Sequence, residues 1–311
     1  MTLLAGSASW TDPTLLTPGL FYPLDVHTAE QRLRFYASRF PMVEVDSTFY
    51  GLPHAGNAQL WAERTPPGFV FDIKAFRAFT GHDVPLSALP RELRSQVGTR
   101  DTVHWRDMPA EVRQELWWRM RTALHPLQAA GKLGAVLFQF APSVRPGAEV
   151  ETHLEHCVDM MAGATVAFEF RHRSWFEGPQ ARRTLAMLRQ LEVVNVVVDA
   201  PQGDFSNSVP AVWEATHPEL AIVRLHGRNV SAWNSASGAS SGRFNYVYND
   251  TELRAMLPAI RRLEEQSGQV HATFNTNYRD QGQANARKLL TLWYGAGTTA
   301  PADPFDLSDL H

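Results

Sequence analysis

Residues 166–171 read Val-Ala-Phe-Glu-Phe-Arg, and His172-Arg173-Ser174-Trp175-Phe176 follows at once. In an extended strand successive side chains point to opposite faces. Val166, Phe168 and Phe170 therefore share one face, while Glu169 and Arg171 share the other. A carboxylate and a guanidinium inside an apolar segment mark a strand with one apolar and one polar side. An open doubly wound sheet is covered by helices on both faces and has no place for the second. A barrel with a polar-lined interior accounts for both.

Seven further runs share this character: LLAGSASW from Leu3, MVEVDSTF from Met42, FVFDIKA from Phe69, GAVLFQF from Gly134, VVNVVVD from Val193, AIVRLHGR from Ala221 and VHATFNTN from Val270. Glu44, Asp46 and Thr48 oppose Val43 and Val45; Asp72 and Lys74 oppose Phe71 and Ile73. Arg224, His226 and Arg228 oppose Val223 and Leu225; His271, Thr273, Asn275 and Asn277 oppose Ala272 and Phe274. In the sixth run Asn195 and Asp199 share a parity and are read as part of the same polar face. Amphipathic helical stretches separate most of the runs. One begins at Thr28, a capping residue, another runs from Thr251, and a third runs from Gln283 and ends on Gly295. Eight strand–helix units predict the α/β class: a single (β/α)8 TIM-type barrel forming one domain over residues 1–297. The third connection, 80–132, is long and is read as an insertion on the barrel top that includes MPAEVRQELWWRMRTALHPLQ. The seventh carries the Ser/Gly-rich WNSASGASSGRFNYVY, read as a flexible loop, and residues 298–311 are expected to form a loose tail.

Composition bounds the function. A net charge of -3 argues against coating nucleic acid. One cysteine, Cys157, excludes a disulfide or a cysteine-rich metal site within one chain. No basic leader with an apolar core opens the sequence, and no apolar run reaches the length of a membrane helix. These features point to a cytoplasmic protein with no membrane partner.

The segments VEVDSTFYGLP, FDIKAFRAFTGH, GAVLFQFAP, FEFRHRSWF, VRLHGR, FNYVY and ATFNTNYRDQGQANA resemble, in order and spacing, the YecE-like family, a domain of unknown function (number seventy-two). The resemblance covers nearly the whole chain. It implies a TIM-type barrel, in agreement with the pleat, and implies no particular reaction. Asp46 and Thr276 stand where the family commonly has Asn.

In such barrels chemistry sits at the carboxyl ends of the strands. There the sequence gathers the candidate catalytic residues Glu169, Asp199 and His226, and the candidate binding residues Asp46, Lys74, Arg171, Arg228, Asn275, Asn277, Trp175, Trp233 and Tyr246. Carboxylates, cations, amides and rings in one place suit an anionic, ring-bearing ligand, either a small molecule or one derived from nucleic acid. Glu44, Asp72 and Arg224 lie deeper and are expected to form a buried ion-pair network. No nucleotide-binding loop and no HExxH spacing occur. Glu169, Asp199 and His226 could hold a divalent metal, although Lys74, Arg171 and Arg228 oppose a cation there, so the metal is left open. The expected function is an enzyme acting on a phosphate-bearing substrate by phosphoester or phosphodiester hydrolysis. Lys74, Arg171 and Arg228 would grip the phosphate, Glu169 or Asp199 would activate water, and His226 would serve as general acid. A sugar-directed glycosidase or isomerase and a non-catalytic binder of nucleic acid or a metabolite are the alternatives.

Overall fold

The structure is a computed structural model that describes residues 2–233 and 243–295. The expected tail at 298–311 and most of the Ser/Gly loop, 234–242, lie outside the described residues. Each of the eight runs forms a strand: β1 (Thr2–Ser7), β2 (Met42–Val45), β3 (Val70–Lys74), β4 (Leu133–Gln139), β5 (Val166–Glu169), β6 (Val194–Asp199), β7 (Ala221–Leu225) and β8 (Gln269–Phe274). They pair in parallel in the order β1-β8-β7-β6-β5-β4-β3-β2. The two ends of this order meet. Ala8 bridges Glu44 in parallel, and the Ser9 N–H donates to Glu44 O at 2.9 Å.

Below that bridge a side chain completes the seam. The Tyr36 hydroxyl accepts from Ser7 N at 2.9 Å and reaches Met42 O at 3.1 Å, so it joins β1 to β2 where the backbones do not. Gly6 is required here, because a Cβ would lie 2.2 Å from Met42 O. The start at Thr28 and the stop at Gly295 appear as read, while the helices read from Thr251 and Gln283 begin at Asp250 and Gln281. Thr28 and Asn249 each close a capping box, with Gln31 and Glu252, and the last helix, Gln281–Tyr294, ends on Gly295 at φ 83°.

Phe71, Ile73, Phe138, Phe168, Val223 and Phe274 face outward into the core shared with the helices. The interior is only half polar. Ala135, Leu137, Ala167, Val194, Val196, Val198 and Ile222 form a separate apolar cluster inside the barrel. This corrects the reading of β6: its interior face carries the three valines. Asn195 and Asp199 share the parity of Val197, which packs in the outer core. The 212–214 segment rewards that orientation, since the Asn195 amide donates to Val212 O at 3.1 Å and Glu214 O at 3.3 Å.

The long third connection divides in two. Residues 75–109 form short 3-10 turns and a small antiparallel pairing of Val84–Pro85 with Thr102–Val103. The aromatic stretch read as insertion is instead the regular crossover helix, Ala110–Ala129. Its Trp117 stacks on Phe79 with ring centroids 3.7 Å apart, which pins the inserted turns to the helix layer.

Candidate functional site

The polar half of the interior is built in layers. At the bottom Asp72 pairs with His271 Nδ1 at 2.9 Å and accepts from Ala135 N at 2.9 Å. That carboxylate fills the place where the β3–β4 register slips, and Gly134 leaves room for it, since a Cβ would lie 2.3 Å from Asp72 Oδ1.

Above it lies an ion-pair network centred on Arg224. Its Nε and Nη2 fork onto both oxygens of Glu44 at 2.8 and 2.6 Å, and Nη1 bonds Glu169 Oε2. Glu169 Oε1 accepts from Gln139 at 2.7 Å and Arg171 at 3.0 Å, and lies 3.3 Å from His226 Nε2. Asn275 Nδ2 lies 2.8 Å from His226 Nδ1, a geometry that suits a neutral ring with its proton on Nε2. Burial alone would raise the Glu169 carboxyl, but Arg224, His226 and Arg171 more than offset it and hold it well below the usual range. Burial holds His226 down to about 3, with Arg224 and Arg171 adding to the effect against the pull of Glu169. The expected ion-pair role of Glu44 and Arg224 is therefore observed, with Glu169 drawn into it, while Asp72 pairs elsewhere.

The upper rim on the β2–β3 side is different in kind. The register that pairs Val45 with Ile73 brings Asp46 alongside Lys74. Thr48 donates its hydroxyl toward Lys74 O at 2.5 Å and lies 2.9 Å from Val45 O, which folds the turn Ser47–Tyr50 back over the end of β3. Phe49 thereby comes under the Lys74 ammonium, with Nζ 4.4 Å from the ring centroid, and the Arg77 guanidinium lies 5.3 Å from the same ring. Among the described residues no hydrogen bond or ion pair reaches Lys74 Nζ or the Asp46 carboxyl, and Arg77 Nε is buried without a partner. Burial holds Lys74 down to about 8, with Arg224 adding to it and Glu44, Glu169 and Asp46 opposing. Burial pushes Asp46 up to about 6, and Lys74 only partly offsets that. His82 bonds Thr80 through Nδ1 at 2.9 Å, lies 5.0 Å from Phe49, and is held down to about 4 by burial and by Arg77.

On the opposite side Arg171 lies 5.1 Å from the Trp233 ring, which meets Phe244 and His226 at 6.1 Å. Trp233 is buried and its Nε1 has no partner among the described residues.

Of the sequence candidates, Glu169, His226, Arg171 and Asn275 come together, with Trp233 covering them and Lys74 and Asp46 beside them. Asp199 does not join them. On its outward parity it holds Arg228 at 2.8 Å and accepts from the Tyr248 hydroxyl at 2.6 Å. Tyr246, whose hydroxyl meets Glu252 at 2.5 Å, belongs to that second cluster, and Arg228 reaches Glu252 as well. A Glu169–Asp199 pair across one substrate is thus not assembled, and Arg228 is already held by Asp199. Trp175 stacks on Phe170 at 4.0 Å and donates to Val144 O at 3.0 Å. It is a core residue, placed by the outward parity of Phe170. Asn277 accepts from the Thr14 hydroxyl through its backbone carbonyl, and its Oδ1 has no partner among the described residues. Among the described residues no group of His, Cys, Asp and Glu is arranged to hold a metal ion, and no helix is long and apolar enough to cross a membrane. Phe49, Arg77 and His82 were missed from sequence. They lie beyond strand ends, in turns where the pleat gives no signal, although all three stand in or beside the FDIKAFRAFTGH and DSTFY segments.

The family model described as "Protein of unknown function DUF72" matches residues 4–305. The UPF0759 protein YunF of Bacillus subtilis (strain 168) is 32% identical over 268 residues, covering 85% of this chain and 87% of that protein. Crystal structures of DUF72 family proteins from Enterococcus faecalis V583 and Thermotoga maritima MSB8 superpose with TM-scores of 0.74 and 0.73. Each is 22% identical, and they cover 94% and 95% of this chain and 98% and 100% of theirs. At that identity the structures attest the barrel alone. The chain belongs to the DUF72 family.

Proposed function

We propose that the chain is an enzyme acting at the C-terminal mouth of its barrel on a phosphate-bearing small molecule, with hydrolysis of the phosphoester as the reaction. The observation that carries this reading is Lys74, a largely buried residue whose ammonium has no hydrogen bond or ion pair among the described residues. Among the described residues, Lys74, Arg77, Arg171, Arg224 and Arg243 are five cations beside four carboxylates, Asp12, Glu44, Asp46 and Glu169, so an anion completes the charge balance. Arg171 and Arg77 would hold the phosphate and stabilise charge as it develops. Arg228 is less suited, being engaged by Asp199.

The general base in this reading is Asp46, not Glu169. Glu169 is fully enclosed and held ionised by Arg224, so it has little basicity to offer. Asp46 has no hydrogen-bond or ion-pair partner among the described residues and is raised to about 6, a value suited to taking a proton from water close to neutral pH. His226 then orients Glu169 and Arg171 and is not itself the proton donor, since its Nε2–H faces Glu169.

Phosphate release from a panel of phosphomonoesters and phosphodiesters tests the reading. Asp46→Asn is expected to reduce turnover by about 10²–10⁴, and the wild-type rate should rise with pH through about 6. Inorganic phosphate should bind by calorimetry and bind more weakly to Arg171→Met. An absence of phosphate binding, or full turnover in Asp46→Asn, would overturn it.

A further inference from the structure

Only three of the 29 cationic residues are lysines, Lys74, Lys132 and Lys288, leaving 26 arginines. Arginine stays protonated in proteins, whereas a lysine can lose its proton when buried. A chain that uses arginine almost everywhere has therefore kept the deprotonatable cation at three places, and two have ordinary explanations. Lys132 Nζ is caged by Ala62 O at 2.6 Å, Thr65 O at 2.5 Å and Thr65 Oγ1 at 3.0 Å, where it ties a loop to the start of β4. Lys288 is exposed and pairs with Asp250 at 2.6 Å. Among the described residues Lys74 has neither kind of partner. It ends β3 inside the mouth, rests over Phe49, and lies in the field of Arg224 with Asp46 beside it.

We propose that Lys74 is a nucleophilic amine that forms an imine with the carbonyl carbon of a phosphate-bearing aldehyde or ketone bound in this mouth. The inference rests on the anion-binding half of the reading above and is independent of its hydrolytic half. Desolvation and a neighbouring guanidinium are the conditions under which a lysine becomes nucleophilic. An amine held near 8 is about 10% free at pH 7, against about 0.04% for an unperturbed lysine. The neutral Nζ lone pair attacks the carbonyl carbon and the C=O π pair moves to oxygen. A proton leaves nitrogen, and the oxygen picks up a proton to give the carbinolamine. The C–O bond then breaks as Asp46, protonated over part of the neutral range, donates a second proton, and the oxygen leaves as water. The nitrogen lone pair closes the C=N bond, so one amine and one carbonyl give one iminium and one water, with Asp46 left ionised to accept the next proton. Phe49 covers the ammonium side of the site, and Arg77 and Arg171 are left for the phosphate.

Borohydride trapping tests this on the full chain. Protein is incubated at pH 7 with glyceraldehyde 3-phosphate or with glyceraldehyde, reduced, and mapped by peptide mass, with only three lysines and the α-amine to distinguish. The expected result is a reduced adduct on Lys74, formed on the order of a hundredfold faster than on an ordinary lysine. It should form faster with the phosphorylated probe, be slowed by inorganic phosphate and be absent in Lys74→Arg, a variant shown to be folded by its cooperative unfolding. If phosphate binds but Lys74 stays unlabelled, the imine is overturned and the anion site stands. If Lys74 labels equally with both probes and phosphate gives no protection, the amine is reactive but the phosphate-bearing substrate is overturned. Labelling confined to Lys288 and the α-amine overturns the inference outright.

Discussion

Two carboxylates at the top of this barrel have opposite surroundings. Glu169 is closed in by Arg224, Arg171, Gln139 and His226, and both of its oxygens have a donor. Asp46, at the end of β2, is part-buried with no side-chain hydrogen bond among the described residues, and Lys74 and Arg224 are the cations that act on it. The first is held well below the usual carboxylate range and the second is raised to about 6. Divergent environments of this kind separate structural charge from working charge. A fully compensated network fixes the mouth, and the uncompensated pair on its rim is left for a ligand.

Substitutions should separate the two regions. The largest effect is expected from Arg224→Met, which strands Glu44 and Glu169 in the interior and should cost about 3–5 kcal/mol in denaturant unfolding at pH 7. The stability that Glu169 gains from its partners is present above the unfolded glutamate value and is lost as acid titrates it through its lowered folded value. The gap to wild type should therefore narrow in acid. A gap independent of pH would mean that lost packing, not stranded charge, sets the cost.

At Asp46 the sign reverses. A carboxyl raised in the folded state binds its proton more tightly than in the unfolded chain, so wild-type stability falls as pH climbs from about 4 to 6. Asp46→Asn should be more stable than wild type by about 2 kcal/mol at pH 7–8 and no different below pH 4. Loss of stability at pH 8 would show that the carboxylate has a partner there.

Lys74→Met should stabilise by about 1–2 kcal/mol at pH 7, because a lysine lowered to about 8 carries its burial cost while charged. That advantage should fade as pH passes from 8 toward 10.5, where the unfolded lysine also deprotonates. Asp199→Asn should change stability by about 1 kcal/mol or less, since Arg228 is 40% exposed, and should leave trapping at Lys74 unaltered. Loss of trapping in that variant would join the two clusters that the geometry keeps apart.

The alternation of VAFEFR, repeated in β2, β3, β7 and β8, was enough to read the barrel and to place Glu169, Arg171, Lys74, Asp46, His226 and Asn275 on its inner face. VVNVVVD was not enough, because valines occupy both parities and only the hydrogen bonds from Asn195 to the 212–214 segment decide which side faces in. Trp175 and the 110–129 helix were misplaced for a related reason: aromatic side chains serve a core and a binding site equally well, and periodicity does not distinguish them. The Phe49–Arg77–His82 group arises where turns after β2 and β3 converge, a juxtaposition set by tertiary packing alone.

The most direct test of the split mouth is a carbon-13 NMR titration of side-chain carboxyls, with Asp46→Asn and Glu169→Gln used to assign the two resonances. The account predicts an Asp46 midpoint near 6 and a Glu169 resonance that stays ionised until the acid limit of the fold. An Asp46 midpoint at the ordinary value of about 3.9, or Glu169 titrating above it, would contradict the account.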